Sequence, residues 1–189
     1  MKKIYALLFA VMFALTASAQ ISWNVKGGIG LSTIDFDDYG SKPALVGKFG
    51  IGMEKMITHK WSIIPSLELA LKGGAGSTNG LKYSATYIQI PVMASYLLTT
   101  FSGGSVSLKA GPYAAYKLTG RFKEDDDHYG GHLETDFDFG VIGGVDFNFQ
   151  RFVLGLEYEY GFTHIDTNGR AHLEKFSNSA AYLTLGYKF

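Results

Sequence analysis

The side chains best suited to chemistry lie in polar stretches between apolar runs. One stretch reads "RFKEDDDHYGGH" and holds Glu124, Asp125, Asp126, Asp127, His128 and His132. Imidazole and carboxylate are donors that zinc and other divalent ions accept. A second acidic run holds Asp35, Asp37 and Asp38, and a later stretch brings His164 and His172. No spacing among them matches a metal motif, and neither acidic run has the ligand order of a calcium loop. Runs of like charge ordinarily solvate. The reading is therefore no metal and no cofactor, with Asp125, Asp126, Asp127, His128 and His132 as the candidates if an ion is bound. His164 and Asp166 lie close together, with Ser77 and Ser177 in other loops, so a nucleophile and base are available by type. Such a pair is defined by geometry, and no G-x-S-x-G accompanies it. The expectation is a protein that is not an enzyme.

A second set of charged residues is spaced quite differently. Lys48, Glu68, Lys109, Lys117, Glu157 and Glu159 each occupy every-other positions inside apolar runs. An acid–base pair could be read from these carboxylates. A row of charges alternating with a row of apolar side chains instead implies strands with one polar and one apolar face.

The elements that carry them follow from that period of two. The first strand, "WNVKGGIGLST", sets Trp23, Val25, Ile29 and Leu31 against Asn24, Lys26, Gly28, Gly30 and Ser32. The second, from about residue 44 to 57, sets Leu45, Phe49, Ile51 and Met53 against Lys48, Gly50, Gly52 and Glu54. Six more follow in "WSIIPSLELALK", "YIQIPVMASYLL", "SVSLKAGPYAAYKLTG", "DFDFGVIGGVDFNF", "FVLGLEYEYGF" and "AAYLTLGYKF". Their connections are short at 58–60, 101–104 and 150–151, and long at roughly 35–43, 73–82, 121–132 and 164–178. Short turns on one side, long loops on the other and an even strand number describe an all-β, eight-stranded, antiparallel up-and-down transmembrane β-barrel. Both ends of the barrel chain then fall on the short-turn side, the periplasmic one.

Which face is outside decides between a soluble and a membrane barrel. Small residues and charges of both signs share the polar face, and an eight-stranded barrel encloses only enough room for side chains. Lys48, Glu68, Lys109, Lys117, Glu157 and Glu159 are accordingly expected to form a lumen ion-pair network. The apolar face has no charge at its middle, where a charge would cost about 2–4 kcal/mol in a bilayer. Aromatics mark both ends: Trp23, Trp61, Phe101, Phe149, Phe152, Tyr187 and Phe189 on the turn side, Tyr39, Tyr83, Tyr116, Tyr160 and Phe162 on the loop side. These are the girdles of two membrane interfaces. Pro65, Pro91 and Pro112 fall inside strands of a barrel without edges, so bulges or ladder gaps are expected there.

Residues 1–19 have the pattern of a secretory signal peptide: Lys2 and Lys3, an apolar run, then Ala17-Ser18-Ala19. Residues 20–189 are then a single barrel domain. Loss of the two lysines leaves a slight acidic excess, which argues against nucleic acid as a partner. With no cysteine there is neither a disulfide framework nor thiol chemistry.

"YIQIPVMASY", "LKAGPYAAYKLTG", "FDFGVIGGVDF" and "LEYEYGFTHID" resemble corresponding strands of the outer-membrane β-barrel domain family common in Bacteroidetes-type bacteria. That family is often called PorT-like and is related in shape to OmpX and the OmpA barrel. The resemblance implies the outer membrane of a Gram-negative bacterium, membrane lipid as surroundings and no catalytic motif. It also implies that the last strand, with Leu183, Leu185, Tyr187 and Phe189, is the signal read by the barrel-assembly machinery. Two roles are left for such a barrel besides catalysis. One is structural or loop-mediated interaction at the cell surface with an external partner; the other is a small channel or ligand-uptake barrel.

Overall fold

The computed structural model describes residues 21–35, 41–76, 82–123, 137–162 and 177–189. Eight strands account for nearly all of them: β1 (Ile21–Asp35), β2 (Ser41–Met56), β3 (Trp61–Gly76), β4 (Lys82–Phe101), β5 (Gly104–Lys123), β6 (Phe137–Phe149), β7 (Phe152–Gly161) and β8 (Ser177–Lys188). Each pairs antiparallel with its sequence neighbour, and β8 returns to β1 to close the barrel. The seam is continuous from Asn24↔Lys188 to Asp35↔Ser177. Closure removes the open edges whose unpaired N–H and C=O groups a bilayer could not satisfy.

The two faces separate as the alternation predicts. Leu45 is 79% exposed, Ile29 66% and Leu185 60%, while Lys48, Glu68 and Glu159 are buried. Apolar surface on this scale, wrapped right around a barrel, belongs in hydrocarbon rather than water. Met53 departs from the pattern. It shares the register of outward Trp23 yet is buried. The interior is not purely polar either. Tyr87, Met93, Tyr113 and Ile142 form a buried apolar cluster against which Ile64 packs.

Ring contacts mark both rims. On the turn side Trp61 meets Tyr96 at 4.8 Å and Phe152 meets Tyr187 at 5.4 Å. On the loop side Tyr116 meets Phe137 at 5.1 Å and Tyr160 meets Phe162 at 5.5 Å. Tyr39, expected in the upper girdle, lies outside the described residues.

All four prolines lie inside strands, and Pro65, Pro91 and Pro112 sit at interruptions of the ladder that leave the register unchanged. Pairing of β3 with β4 skips from Pro65↔Val92 to Glu68↔Gln89, and β4 with β5 from Pro91↔Tyr113 to Ala94↔Ala110. Proline brings no N–H to the ladder, so local pairing fails while neighbouring strands hold the alignment. True register shifts occur after the fourth proline, between Pro43 of β2 and Lys48, and also between Thr86 and Tyr87 and between Leu97 and Thr99.

Several strands outrun their expected limits. β3 continues to Gly76, β4 starts at Lys82 and β5 reaches Lys123, all inside stretches expected to be loop. Apolar alternation records contact with lipid. Ladder hydrogen bonds have no such requirement and continue beyond the bilayer.

The hairpin joining β6 to β7 turns on Gln150, whose φ is +52°. A side chain in this left-handed region is strained by about 1–2 kcal/mol. Gln150→Gly is expected to raise the unfolding free energy by about 1 kcal/mol despite the added backbone freedom of the unfolded chain. Urea titration of the vesicle-embedded barrel checks this, and an unchanged or lower midpoint would show that the turn is unstrained.

Candidate functional site

The densest polar constellation among the described residues is inside the barrel. Glycine and serine on inward positions make the room. A methyl at Gly50 would lie 2.6 Å from Cγ of Glu68, and one at Gly155 would lie 2.6 Å from Oδ1 of Asp146. Long side chains from opposite walls use that space.

Glu157 on β7 is the centre. Its Oε1 accepts from Lys26 of β1 at 3.1 Å and Lys109 of β5 at 2.7 Å, while Oε2 accepts from Lys48 of β2. Each lysine has a further carboxylate. Lys26 meets Glu68 at 2.7 Å, Lys48 meets Glu159 at 2.9 Å, and Lys109 meets Asp146 at 2.5 Å. Gln89 of β4 donates to both Glu68 and Glu159, at 3.0 and 3.2 Å. These bonds join strands far apart around the ring, so they brace the barrel across its diameter.

A second cluster lies nearer the long loops. Lys72 donates to Asp138 at 2.9 Å and to the Tyr113 hydroxyl at 3.0 Å, and that hydroxyl donates to Asp138 at 3.0 Å. The Lys72 ammonium also sits over the Tyr113 ring, 4.3 Å from its centre. Lys48 stands likewise over Tyr182 at 4.5 Å. Towards the short turns, Lys188 pairs with Glu54 at 2.7 Å and donates to Asn148 at 2.9 Å.

Burying ions costs several kcal/mol each and is repaid only by good geometry with filled hydrogen-bond capacity. The network nearly meets that condition. Gln89 Oε1 and Glu159 Oε2 are buried without a hydrogen bond, the latter 3.7 Å from the Lys72 ammonium.

Five of the six residues expected in a lumen network, Lys48, Glu68, Lys109, Glu157 and Glu159, meet in this cluster. Lys117 does not reach it. It is half-buried opposite Tyr87, and eight residues separate it from Lys109, about 27 Å along a strand at ~3.4 Å per residue. Lys26, Lys72, Gln89, Tyr113, Asp138 and Asp146 complete the arrangement. All six could be found by alternation, Gln89 from its place between Ile88 and Ile90. The cross-lumen pairing could not.

Two lumen spaces lie on the turn side of the network. The inner one, about 40 Å³, is bordered by Ser66, Met93, Lys109, Asp146 and Thr184. At roughly 15 Å³ per water it holds only a few solvent molecules. The outer one, about 250 Å³, opens between Ser62, Ser105, Asn148 and the turn residues His59 and Lys60. Glu54 and Lys188 border both.

The loop candidates Asp125, Asp126, Asp127, His128 and His132 lie outside the described residues, as do His164, Asp166, His172, Asp37 and Asp38. Among the described residues no group of three histidine, cysteine, aspartate or glutamate side chains could hold a metal ion.

A family model described as "Outer membrane protein beta-barrel domain" matches residues 13–167. No curated protein matches the sequence. Solved structures share the fold at low identity. Ail, the attachment invasion locus protein of Yersinia pestis, is 16% identical with a TM-score of 0.51, covering 89% of this chain and 98% of its own. Neisserial surface protein A is 14% identical with a TM-score of 0.56, covering 88% and 97%. The outer membrane enzyme PagL is 9% identical with a TM-score of 0.53, covering 87% and 98%.

Proposed function

The chain belongs to the outer membrane protein β-barrel domain family, and from that premise we propose that it is a closed, non-enzymatic barrel of the cell envelope whose contacts are made by its loops. The observation that carries this reading is the ionic network around Glu157, which fills the lumen at mid-height. An attachment protein and an enzyme both use this fold, so the scaffold selects neither role. What supports the non-enzymatic reading is that the buried carboxylates are committed to lysines. The four quoted strand motifs support a place among the PorT-like barrels of Bacteroidetes-type bacteria.

The remaining parts of the proposal follow the same architecture. Residues 1–19 direct export and are removed. The short turns and both ends of the barrel face the periplasm, and the long loops face outward towards an external partner. The assembly machinery reads Leu183, Leu185, Tyr187 and Phe189 of the last strand.

The uptake alternative needs a path through the network, and planar-bilayer recording tests it. The expected result is no stable open level for the wild type. Sustained single-channel conductance of the size given by a water-filled pore would replace the closed-barrel reading with the uptake one.

A further inference from the structure

Apart from Glu54, the charged side chains on the rim and outer wall at the turn end of the barrel are basic among the described residues, with Lys60 at the mouth of the lumen. Lys55 closes the outward row of β2, opposite Ile21 of β1 and Ile63 of β3. Lys60 is exposed in the following turn. The Thr58 hydroxyl pins that turn by accepting from the backbone N–H groups of Lys60 and Trp61, at 3.3 and 3.0 Å. Arg151 is exposed in the turn between β6 and β7. Its guanidinium donates to the Tyr187 hydroxyl at 3.2 Å, and its carbonyl accepts from the Lys188 N–H at 2.7 Å. The acid at this end, Glu54, is half-buried and committed to Lys188. Glu68, Asp138, Asp146, Glu157 and Glu159 all face the lumen.

The two basic turns lie four strands apart in a ring of eight, on opposite sides of the barrel. Each adjoins a girdle aromatic pair, Trp61 with Tyr96 and Phe152 with Tyr187. Cation, aromatic ring and apolar wall thus follow one another in the order that a lipid presents phosphate, interface and acyl chain.

We propose that the turn end of this barrel binds anionic phospholipid headgroups at two opposed places, one formed by Lys55 and Lys60 and the other by Arg151 with Tyr187. Guanidinium offers two parallel donors to a phosphate, and lysine offers a compact charge on a stem that lies along the apolar wall. The tyrosine hydroxyl sits at headgroup depth. A soluble anion would gain nothing from that wall, so the ligand is a lipid. The inference rests on the membrane reading but not on which leaflet the turns face.

The test uses the refolded whole barrel in phosphatidylcholine vesicles with spin-labelled phosphatidylglycerol or spin-labelled phosphatidylcholine as probe. Electron paramagnetic resonance reports the protein-restricted share of each. The expected preference for phosphatidylglycerol is about threefold at low salt, falling to near parity at about 0.5 M salt. The K55Q/K60Q/R151Q variant should show parity at both salt levels, and K60R should keep the preference. Equal restriction of both probes by the wild type, or an undiminished preference in the triple variant, would overturn the proposal. Loss of the preference on adding glycerol phosphate would make this a free-anion site and overturn the lipid assignment. Heat-modifiable gel migration of the same vesicles reports insertion separately, so failure of the membrane reading is distinguishable.

Discussion

Glu157→Gln is expected to lower the unfolding free energy by about 3–5 kcal/mol, the cost of breaking a buried ion pair from one side. Glu157 is 3% exposed and faces three ammonium groups, those of Lys26, Lys48 and Lys109. Removing its charge leaves those lysines to Glu68, Glu159 and Asp146, each placed to one side of the lumen. Water compensates little, because the space beside Lys26 and Lys109 is only about 40 Å³. Glu157→Asp keeps the charge on a shorter arm and should lose less. Adding Lys48→Met to Glu157→Gln should recover part of the loss, since it removes one stranded ammonium. At the edge of the lumen, Glu54→Gln should cost only about 1 kcal/mol, because its pair with Lys188 is partly exposed. Urea titration in vesicles, followed by the fluorescence of Trp23 and Trp61, measures all four. A midpoint for Glu157→Gln equal to that of the wild type would mean that the network contributes nothing to closure.

The second large effect concerns delivery rather than stability. Phe189→Asp is expected to reduce folded barrel in the outer membrane severalfold, while refolding of the purified variant into vesicles changes by only about 1–2 kcal/mol. The Phe189 N–H donates to the Trp23 carbonyl at 2.8 Å, and its ring lies 5.1 Å from that of Tyr187. The ring is 70% exposed, so it packs little against the rest of the barrel. An aromatic side chain displayed at the end of the last strand, and little packed against the fold, suits a signal read before closure. Heat-modifiable migration of membrane fractions measures the first quantity, and refolding yield in vesicles the second. Equal losses in both would reduce Phe189 to an interface anchor. Normal folded yield in cells would remove the assembly role altogether.

Alternation by itself determined the strand number, the antiparallel order and, with the exception of the buried Met53, the side of the wall that the strand residues face. It could do so because the pleat sends successive side chains to opposite faces, and lipid tolerates no charge at mid-height. Lys48, Glu68, Lys109, Glu157 and Glu159 were legible as lumen residues for that reason. Their partners were not. Pairs such as Lys26 with Glu157 lie 131 residues apart, and only the closed ring, with the stagger of each strand against the next, decides which tips meet. Lys117 lies away from the cluster although its place in the alternation matches that of Lys109, because eight residues of the same strand, β5, separate the two. Strand ends were misjudged because hydrogen bonding continues past the apolar pattern, as in β4 and β5. The opposed basic turns were invisible for a related reason: Lys60 and Arg151 become the two sides of one rim only when β8 closes on β1.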